Sequence, residues 1–181
     1  TAGLASRSSD EILSMAETPL PIEIEEETTT QLDKRLDYRF LDLRREKIKT
    51  IFYLRSKIYQ FTVDFFSQAG FINIQTPKLT QSGVESGAEE FKFDYFGKKA
   101  SLAQSPQVYK QMFVAAGLEK VYELGTVFRA EKSHTTRHTT EFTGVDFEMG
   151  FIEGENDVMD VVEDYFKFLL KNLEDKCSEE L

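Results

Sequence analysis

Apolar side chains recur at helical spacing in two long stretches of the chain, and each stretch predicts an amphipathic helix. The first covers about residues 43–69 and ends at Gly70, a natural helix stop. The second follows Asn156 or Asp157, either of which can cap its first turn. Its apolar stripe consists of Val158, Val161, Val162, Tyr165, Phe168 and Leu169.

Between these helices the pattern predicts short strands. Residues 71–77 form a strand that Pro77 ends, and a loop of small residues follows over 80–90. Residues 91–96 and 100–104 predict a hairpin with its turn at 97–99. Ser105 and Pro106 start a helix that reaches about Ala116 and stops at Gly117. Two longer strands cover 121–131 and 141–151. Strands that follow one another directly, with helices before and after, predict an α+β fold whose antiparallel sheet is flanked by helices.

The two longer strands each have one apolar face, because alternate side chains of a strand point to opposite sides. The apolar positions are the even ones of 121–131 and the odd ones of 141–151, up to Phe151, and these are predicted to be core. The opposite faces carry charged residues, three glycines and the aromatic ring of Phe142. An ordinary solvated sheet face is one interpretation of this pattern.

A ligand-binding face is the other interpretation. Gly125, Gly144 and Gly150 weaken a strand and are poorly explained by packing, so they are expected to leave room for a ligand. Phe142 suits stacking on a flat ring. Arg129 and Glu131 are expected to lie near Asp146 and Glu148 across the hairpin. Such a face can hold a molecule with a planar base, a phosphate and an ammonium group.

Further candidate residues lie in the helix that follows Ser105 and in the loop between the long strands. Gln107 and Lys110 share a helix face in the first turns, where a small carboxylate can bind. The loop sequence KSHTTRHTT combines cations with hydroxyls, which suits phosphate contacts. A surface lysine and a plain hairpin loop are the alternatives. Two histidines without a nearby cysteine predict no zinc site.

Composition narrows the function classes. The chain has 181 residues, 40% of them hydrophobic and 30% charged, with a net charge of −10, which argues against a general DNA-coating protein. Residues 98–140 nevertheless hold 7 basic and 3 acidic side chains, which favours an anionic ligand there. No apolar run approaches the roughly 20 residues of a membrane span. A single cysteine, Cys177, fits a reducing, cytosolic setting.

Four segments resemble the catalytic domain of class II aminoacyl-tRNA synthetases, most closely the aspartyl enzymes of the cytosolic eukaryotic and archaeal type. FRAEKSHTTRHTTEFTGVDFEM is similar to motif 2, and QSPQVYKQM to the amino-acid pocket segment. FFSQAGFINIQTPKL is similar to motif 1, which forms the dimer interface in the family. RLDYRFLDLR is similar to the segment that enters the catalytic domain, and the resemblance covers about residues 17–181.

The resemblance implies roles for individual residues. Arg129 would be the catalytic residue, on the α-phosphate of ATP and the substrate carboxylate. The implied ATP contacts are Arg129, Glu131, Arg137, His138, Thr139 and Phe142. The implied aspartate contacts are Glu85, Gln107, Lys110, Arg129 and Asp146, with Lys110 reading the side-chain carboxylate. Lys132 and Arg137 would contact the tRNA acceptor end. Around Glu85 the family usually shows Ser-Glu-Gly-Gly, whereas this chain has Val84-Glu85-Ser86-Gly87.

The resemblance also implies an organisation and an activity. Residues 1–36 would be a connector that follows an anticodon-binding OB-fold domain, and residues 37–181 the N-terminal part of the catalytic domain. Motif 3 is not found in these residues, so the fold is expected to be present only in part and the 181-residue chain to be inactive alone.

The implied reaction is activation of L-aspartate with ATP and Mg²⁺, then transfer to tRNA(Asp), by a cytoplasmic homodimer without a membrane partner. Asparaginyl- or lysyl-tRNA synthetases share the fold, and the QSPQ segment with Lys110 favours aspartate over both. A non-catalytic paralogue that acts as a binding module is the alternative from another class. A plain scaffold domain leaves the three glycines and Phe142 on the polar face unexplained.

Overall fold

The computed structural model describes residues 14–15, 17–25, 27, 29–81, 89–132, 135 and 138–181. The chain divides into two compact units, Thr1–Tyr53 and Leu54–Leu181. Among the described residues, no helix combines the length and the apolar character that crossing a bilayer requires.

The first unit contains two short helices, α1 (Leu32–Asp37) and α2 (Arg39–Asp42), and the start of α3 (Glu46–Gln68). The predicted long helix is therefore confirmed as α3, although its predicted first residues, 43–45, form a turn between α2 and α3. The helical turn of α1 begins inside the stretch 1–36 that was expected to be an extended connector. The domain boundary at residue 36 stays a prediction.

A buried carboxylate organises this first unit. Asp42 is fully buried and accepts hydrogen bonds from three arginines: Arg35 Nε at 2.7 Å, Arg45 Nη1 at 3.3 Å, and Arg39. The Arg35 hydrogen bond holds the pKa of Asp42 below its usual value against the opposing effect of burial, and Arg45 adds to the lowering. Arg45 also donates from Nε to the Glu25 carbonyl oxygen at 3.0 Å, so Asp42 anchors the helices to the preceding segment.

The second unit contains two three-stranded sheets. In the first, β5 (Lys120–Phe128) lies between β1 (Ile72–Asn73), which is parallel to it, and β6 (Glu141–Met149), which is antiparallel. In the second, β4 (Lys98–Leu102) lies between β2 (Leu79–Gln81) and β3 (Lys92–Tyr95), both antiparallel to it. The predicted α+β class is confirmed, but the first sheet is mixed, and β2 begins one residue before the stretch predicted as a loop.

One face of the first sheet carries the core. Phe66 of α3 stacks on Tyr122 of β5 with ring centroids 4.8 Å apart, and Phe71 and Leu124 complete the buried cluster. The last helix, α5 (Glu155–Lys176), contributes Tyr165, whose hydroxyl lies 2.9 Å from Thr62 Oγ1. The predicted apolar parity is confirmed in this region, since Phe147 and Met149 of β6 pack on the same cluster.

Several boundaries differ from the sequence prediction, among them the hairpin turn, the end of β6 and the start of α5. The hairpin turn is Phe96-Gly97, both with positive φ (51° and 79°), so Lys98 already belongs to β4. Such a two-residue turn matches the twist of the flanking strands. β6 ends at Met149, and Phe151 has a φ of 57° and is 91% exposed, so it is not a core residue. Asp157 supports the start of α5 by accepting the Glu153 N–H at 2.7 Å, while the N-cap itself is Gly154.

The helix that was predicted to start at Ser105 is α4 (Gln107–Ala115). The Ser105 hydroxyl oxygen accepts the Gln107 N–H at 3.1 Å, which satisfies one free donor of the first turn. At the other end Gly117 has a φ of 98°, and its N–H and that of Leu118 donate to Val114 and Phe113, as in a Schellman ending. The capped helix packs against β5 and β6.

Candidate active site

The face of β5 and β6 opposite the core brings the predicted polar positions into register. Val127 pairs with Phe142, Gly125 with Gly144, and Glu123 with Asp146. Since paired residues point to the same side of a sheet, odd positions of β5 and even positions of β6 share this face. Along this face the Phe142 ring is followed by the glycine pair, which carries no side chains, and then by the two carboxylates of Glu123 and Asp146.

Arg129 and Phe142 meet at one end of this face. The Arg129 guanidinium carbon lies 5.4 Å from the centroid of the Phe142 ring, a cation–π contact. Although β5 ends at Phe128, the Arg129 N–H still donates to the Thr140 carbonyl oxygen at 2.9 Å, which keeps Arg129 aligned with β6. Arg129 is exposed and Phe142 half-buried, so both can contact a ligand.

The expectation that Arg129 and Glu131 lie near Asp146 and Glu148 is wrong. In the observed register Asp146 is opposite Glu123, and Glu148 is opposite Val121. Phe142 and Asp146 are four residues apart on one strand, which corresponds to about 14 Å. The cation–π pair and the acidic pair consequently occupy separate ends of the same face.

Lys110 of α4 reaches the acidic end. Its Nζ atom hydrogen-bonds to Asp146 Oδ1, donates to the Phe147 carbonyl oxygen at 3.0 Å, and lies 3.3 Å from Glu148 Oε2. Gln107, one turn earlier on α4, donates from Nε2 to Glu148 Oε2 at 3.3 Å. Gln107 and Lys110 therefore share a face, as predicted, and here both contact protein carboxylates. That they hold a substrate carboxylate stays a prediction.

The exposures at this end differ between the cation and the anions. The Lys110 side chain is 4% exposed, whereas those of Asp146 and Glu148 are 35% and 27% exposed. A buried ammonium group is stable only with anionic partners, and Lys110 has two of them here besides the Phe147 carbonyl oxygen. An amino acid with a side-chain carboxylate can replace the internal contacts of this cluster. Its ammonium group would bind Asp146 and Glu148, and its side-chain carboxylate would bind Lys110.

The three glycines have three different surroundings. A Cβ atom on Gly144 would come no closer than 3.9 Å to another atom, so this position does leave room on the face. A Cβ on Gly125 would lie 3.0 Å from Glu123 Oε1, and one on Gly150 would lie 3.1 Å from Val114 of α4. The expectation that packing does not explain these glycines is therefore wrong for Gly125 and Gly150.

Sequence reasoning missed a second ion pair beside the acidic end. Glu123, 2% exposed, accepts Lys78 Nζ at 2.6 Å and Thr76 Oγ1 at 2.6 Å. Its place on the polar face was visible from the strand parity. Its partners were not, because they follow β1, and the parallel pairing of β1 with β5 leaves no local pattern in the sequence.

The remaining predicted residues lie around the loop after β5. Glu131, Lys132 and Thr139 are exposed, and His138 Nδ1 lies 2.6 Å from Thr135 Oγ1. Glu85 and Arg137 lie outside the described residues. The ATP, aspartate and tRNA roles of all these residues stay predictions.

Two cavities lie near the site. One of about 10 Å³, room for about one water molecule, is lined by Lys78, Pro106, Glu123, Gly125, Val127, Gly144 and Asp146. A larger one of about 220 Å³ lies between α4 and the second sheet, with Ser101, Gln104, Tyr109 and Met112 among its lining residues. The small cavity lies between the Lys78–Glu123 pair and Asp146 and is too small for an amino acid in this structure. Within the described ranges, no three His, Cys, Asp or Glu residues are grouped to hold a metal ion.

Comparison with known proteins finds relatives and solved structures that resemble most of this chain. The aspartate–tRNA(Asp/Asn) ligase of Archaeoglobus fulgidus is 46% identical over 92% of this chain, and the aspartate–tRNA(Asp) ligase of Pyrococcus abyssi is 44% identical over 94%. The chain spans 39% of the length of each. A solved asparaginyl-tRNA synthetase of Pyrococcus horikoshii, complexed with asparaginyl-adenylate, superposes with a TM-score of 0.78 at 33% identity, over 83% of this chain and 34% of that one.

The family comparison covers most of the chain. The sequence model of the family described as "tRNA synthetases class II (D, K and N)" matches residues 31–181. These residues include both ends of the candidate site, from Lys78 to Glu148. The chain therefore belongs to the class II tRNA synthetases of the D, K and N group.

Proposed function

We propose that this chain is the part of an aspartate–tRNA ligase that binds aspartate and ATP. One observation carries the proposal: the buried ammonium group of Lys110 faces Asp146 and Glu148 on the same sheet face that carries Arg129 and Phe142. The Lys110 ammonium group can bind the side-chain carboxylate of aspartate, while Asp146 and Glu148 can bind its ammonium group. The Phe142 ring can stack on the base of a nucleotide, while Arg129 binds its phosphates.

Lys110 explains a preference for aspartate over asparagine. Aspartate supplies a carboxylate that can replace Asp146 as the partner of the ammonium group, while the substrate ammonium group takes over Asp146 and Glu148. Asparagine has nearly the same shape but supplies only a neutral amide, which leaves a desolvated charge poorly compensated. Removing one partner from such a pair typically costs about 2–5 kcal/mol.

The nucleotide would bind at the other end of the face. Adenine stacks on Phe142 and displaces the Arg129 guanidinium toward the phosphates, where it neutralises charge that develops on the α-phosphate. An oxygen of the α-carboxylate of aspartate attacks the α-phosphorus of ATP. The bond between this phosphorus and the oxygen that bridges it to the β-phosphorus breaks, so that pyrophosphate leaves. The tRNA terminal ribose hydroxyl then attacks the carbonyl carbon of aspartyl-adenylate and releases AMP.

Following the family, we propose that Mg²⁺ binds at this site together with the ATP phosphates. Mg²⁺ in such enzymes is commonly held by one or two carboxylates together with substrate phosphates. The ion supplies charge neutralisation on the phosphates when bound. Arg129, Glu131, Arg137, His138 and Thr139 are proposed to orient the nucleotide around it.

The remaining partners follow from the family. Lys132 and Arg137 are proposed to contact the acceptor end of tRNA(Asp), and Glu85 to close over bound aspartate. Following the family, we also propose a cytoplasmic location and a homodimer formed through the motif 1 segment, residues 65–79. On α3, Ile51, Phe52 and Tyr59 are 46–57% exposed, and exposed apolar residues in one stretch are typical of an interface.

Pyrophosphate exchange tests the proposed function. The full-length protein that contains this chain is expected to incorporate labelled pyrophosphate into ATP when aspartate is present. Asparagine and lysine are tested in parallel, and neither is expected to support the exchange. Exchange that depends on asparagine or lysine instead would reassign the substrate within the family. No exchange with any of the three would support a non-catalytic paralogue.

A further inference from the structure

We infer that Lys78 is a specificity-determining residue, which limits the negative charge of the amino-acid site and so limits the repulsion of a substrate with net negative charge relative to its neutral amide analogue. The inference rests on the proposed function and adds a residue that acts through Glu123. Lys78 follows Pro77 in the segment between β1 and β2, far in sequence from α4 and β6.

Three hydrogen bonds converge on the Glu123 carboxylate, and Lys78 donates one of them. Glu123 Oε1 accepts Lys78 Nζ at 2.6 Å and the Thr76 backbone N–H at 3.3 Å, and Oε2 accepts Thr76 Oγ1 at 2.6 Å. Lys78 Nζ also donates to Thr76 Oγ1 at 3.2 Å. Gly125 permits this arrangement, because a Cβ atom there would press on Oε1 at 3.0 Å.

Glu123 is directly opposite Asp146 in the β5–β6 register, and both line the small cavity together with Lys78. Like charges directly opposite each other destabilise a strand pair. Each acid here has its own lysine: Lys78 binds Glu123, and Lys110 binds Asp146. Lys78 therefore keeps the charge of Glu123 from acting on Asp146 and on a ligand bound beside it.

The charge balance gives the functional consequence. The cluster contains two ammonium groups and three carboxylates, so its net charge is −1. Replacing Lys78 by methionine makes it −2, which repels aspartate, with net charge −1, but leaves asparagine, with no net charge, unaffected. Lys78 is largely shielded from solvent, with 28% exposure, so screening by water is incomplete.

A charge-compensation cycle in the full-length protein tests this inference. Lys78→Met is expected to raise the KM for aspartate in pyrophosphate exchange about tenfold, equivalent to about 1.4 kcal/mol, with the KM for ATP and the kcat unchanged within about threefold. The double variant Lys78→Met/Glu123→Gln returns the cluster to −1 and is expected to restore the aspartate KM to within about threefold of wild type. Lys98→Met, an exposed lysine beside the β3–β4 turn, is the matched control and should change nothing.

The outcomes separate this inference from the proposed function. If wild-type protein shows no aspartate-dependent exchange, both are wrong. If wild-type exchange is normal and Lys78→Met leaves the aspartate KM unchanged, only the inference is wrong. A double variant that is as impaired as Lys78→Met, or lower expression and Tm in both, would mean that Lys78 acts through folding and not through charge, which also overturns it.

Discussion

Replacing Lys110 by methionine removes the positive charge at the acidic end of the site with little change in side-chain length. In the free protein the substitution deprives Asp146, Glu148 and the Phe147 carbonyl oxygen of their shared donor. Because the two acids are 35% and 27% exposed, water can solvate them. We therefore expect the free energy of unfolding to fall by only about 1–2 kcal/mol, less than the roughly 3–5 kcal/mol of a fully buried pair.

The effect on aspartate is expected to be larger than the effect on stability. Lys110 is 4% exposed, so its interaction with a substrate carboxylate is desolvated and strong. A loss of about 3 kcal/mol in transition-state binding corresponds to a decrease of roughly 150-fold in kcat/KM for aspartate. Asparagine, which never gained from the charge, should lose far less, so the preference for aspartate shrinks.

The assay is pyrophosphate exchange by full-length protein over a range of aspartate and asparagine concentrations, with chemical denaturation as the measure of stability. Lys171→Met, an exposed lysine in α5, is the matched control and should behave as wild type. If Lys110→Met keeps its aspartate kcat/KM within about threefold of wild type, Lys110 does not bind the substrate carboxylate and the assignment of this pocket is wrong.

Three further predictions follow from the same structure. Phe142→Leu should raise the KM for ATP about tenfold, since stacking on a base contributes about 1–3 kcal/mol, while the KM for aspartate stays unchanged. Pyrophosphate exchange at varied ATP and at varied aspartate concentrations measures the two constants. Gly125→Ala should lower the free energy of unfolding by about 1 kcal/mol or more, because the new Cβ presses on Glu123. Gly144→Ala should lower it by less than about 0.5 kcal/mol, because no neighbour lies closer than 3.9 Å to the new Cβ. Urea unfolding of both variants measures the difference. Asp42→Asn should destabilise the fold by about 3 kcal/mol because it removes the buried negative charge that Arg35, Arg39 and Arg45 share. Because the pKa of Asp42 is lowered in the folded protein, its contribution is complete above about pH 4 and is lost as the pH falls through the lowered pKa, so acid unfolding of the variant should show a weaker pH dependence.

The sequence predicts those parts of the site that depend on local periodicity. Alternation along the two long strands assigns Phe142 and Asp146 to one face, and the spacing of Gln107 and Lys110 assigns both to one side of α4; the structure agrees on each point. Both patterns arise within a single element, where backbone geometry alone decides which way a side chain points.

The parts that sequence could not predict depend on contacts between distant segments. The ion pair of Lys78 with Glu123 requires the parallel pairing of β1 with β5, which no periodicity encodes. The same holds for Gly150, whose lack of a side chain makes room for Val114 of α4. Phe151 was misassigned for a different reason: an apolar residue continues the strand pattern even where the backbone turns into the left-handed region.

The most direct test of the account is a crystal structure of the full-length protein with a non-hydrolysable analogue of aspartyl-adenylate. We expect the adenine ring to stack on Phe142, the phosphate group to contact Arg129, and the aspartate carboxylate to bind Lys110 Nζ in place of Asp146. An analogue bound with its aspartate carboxylate away from Lys110, or with its adenine on the other side of the β5–β6 sheet, would contradict the central claim.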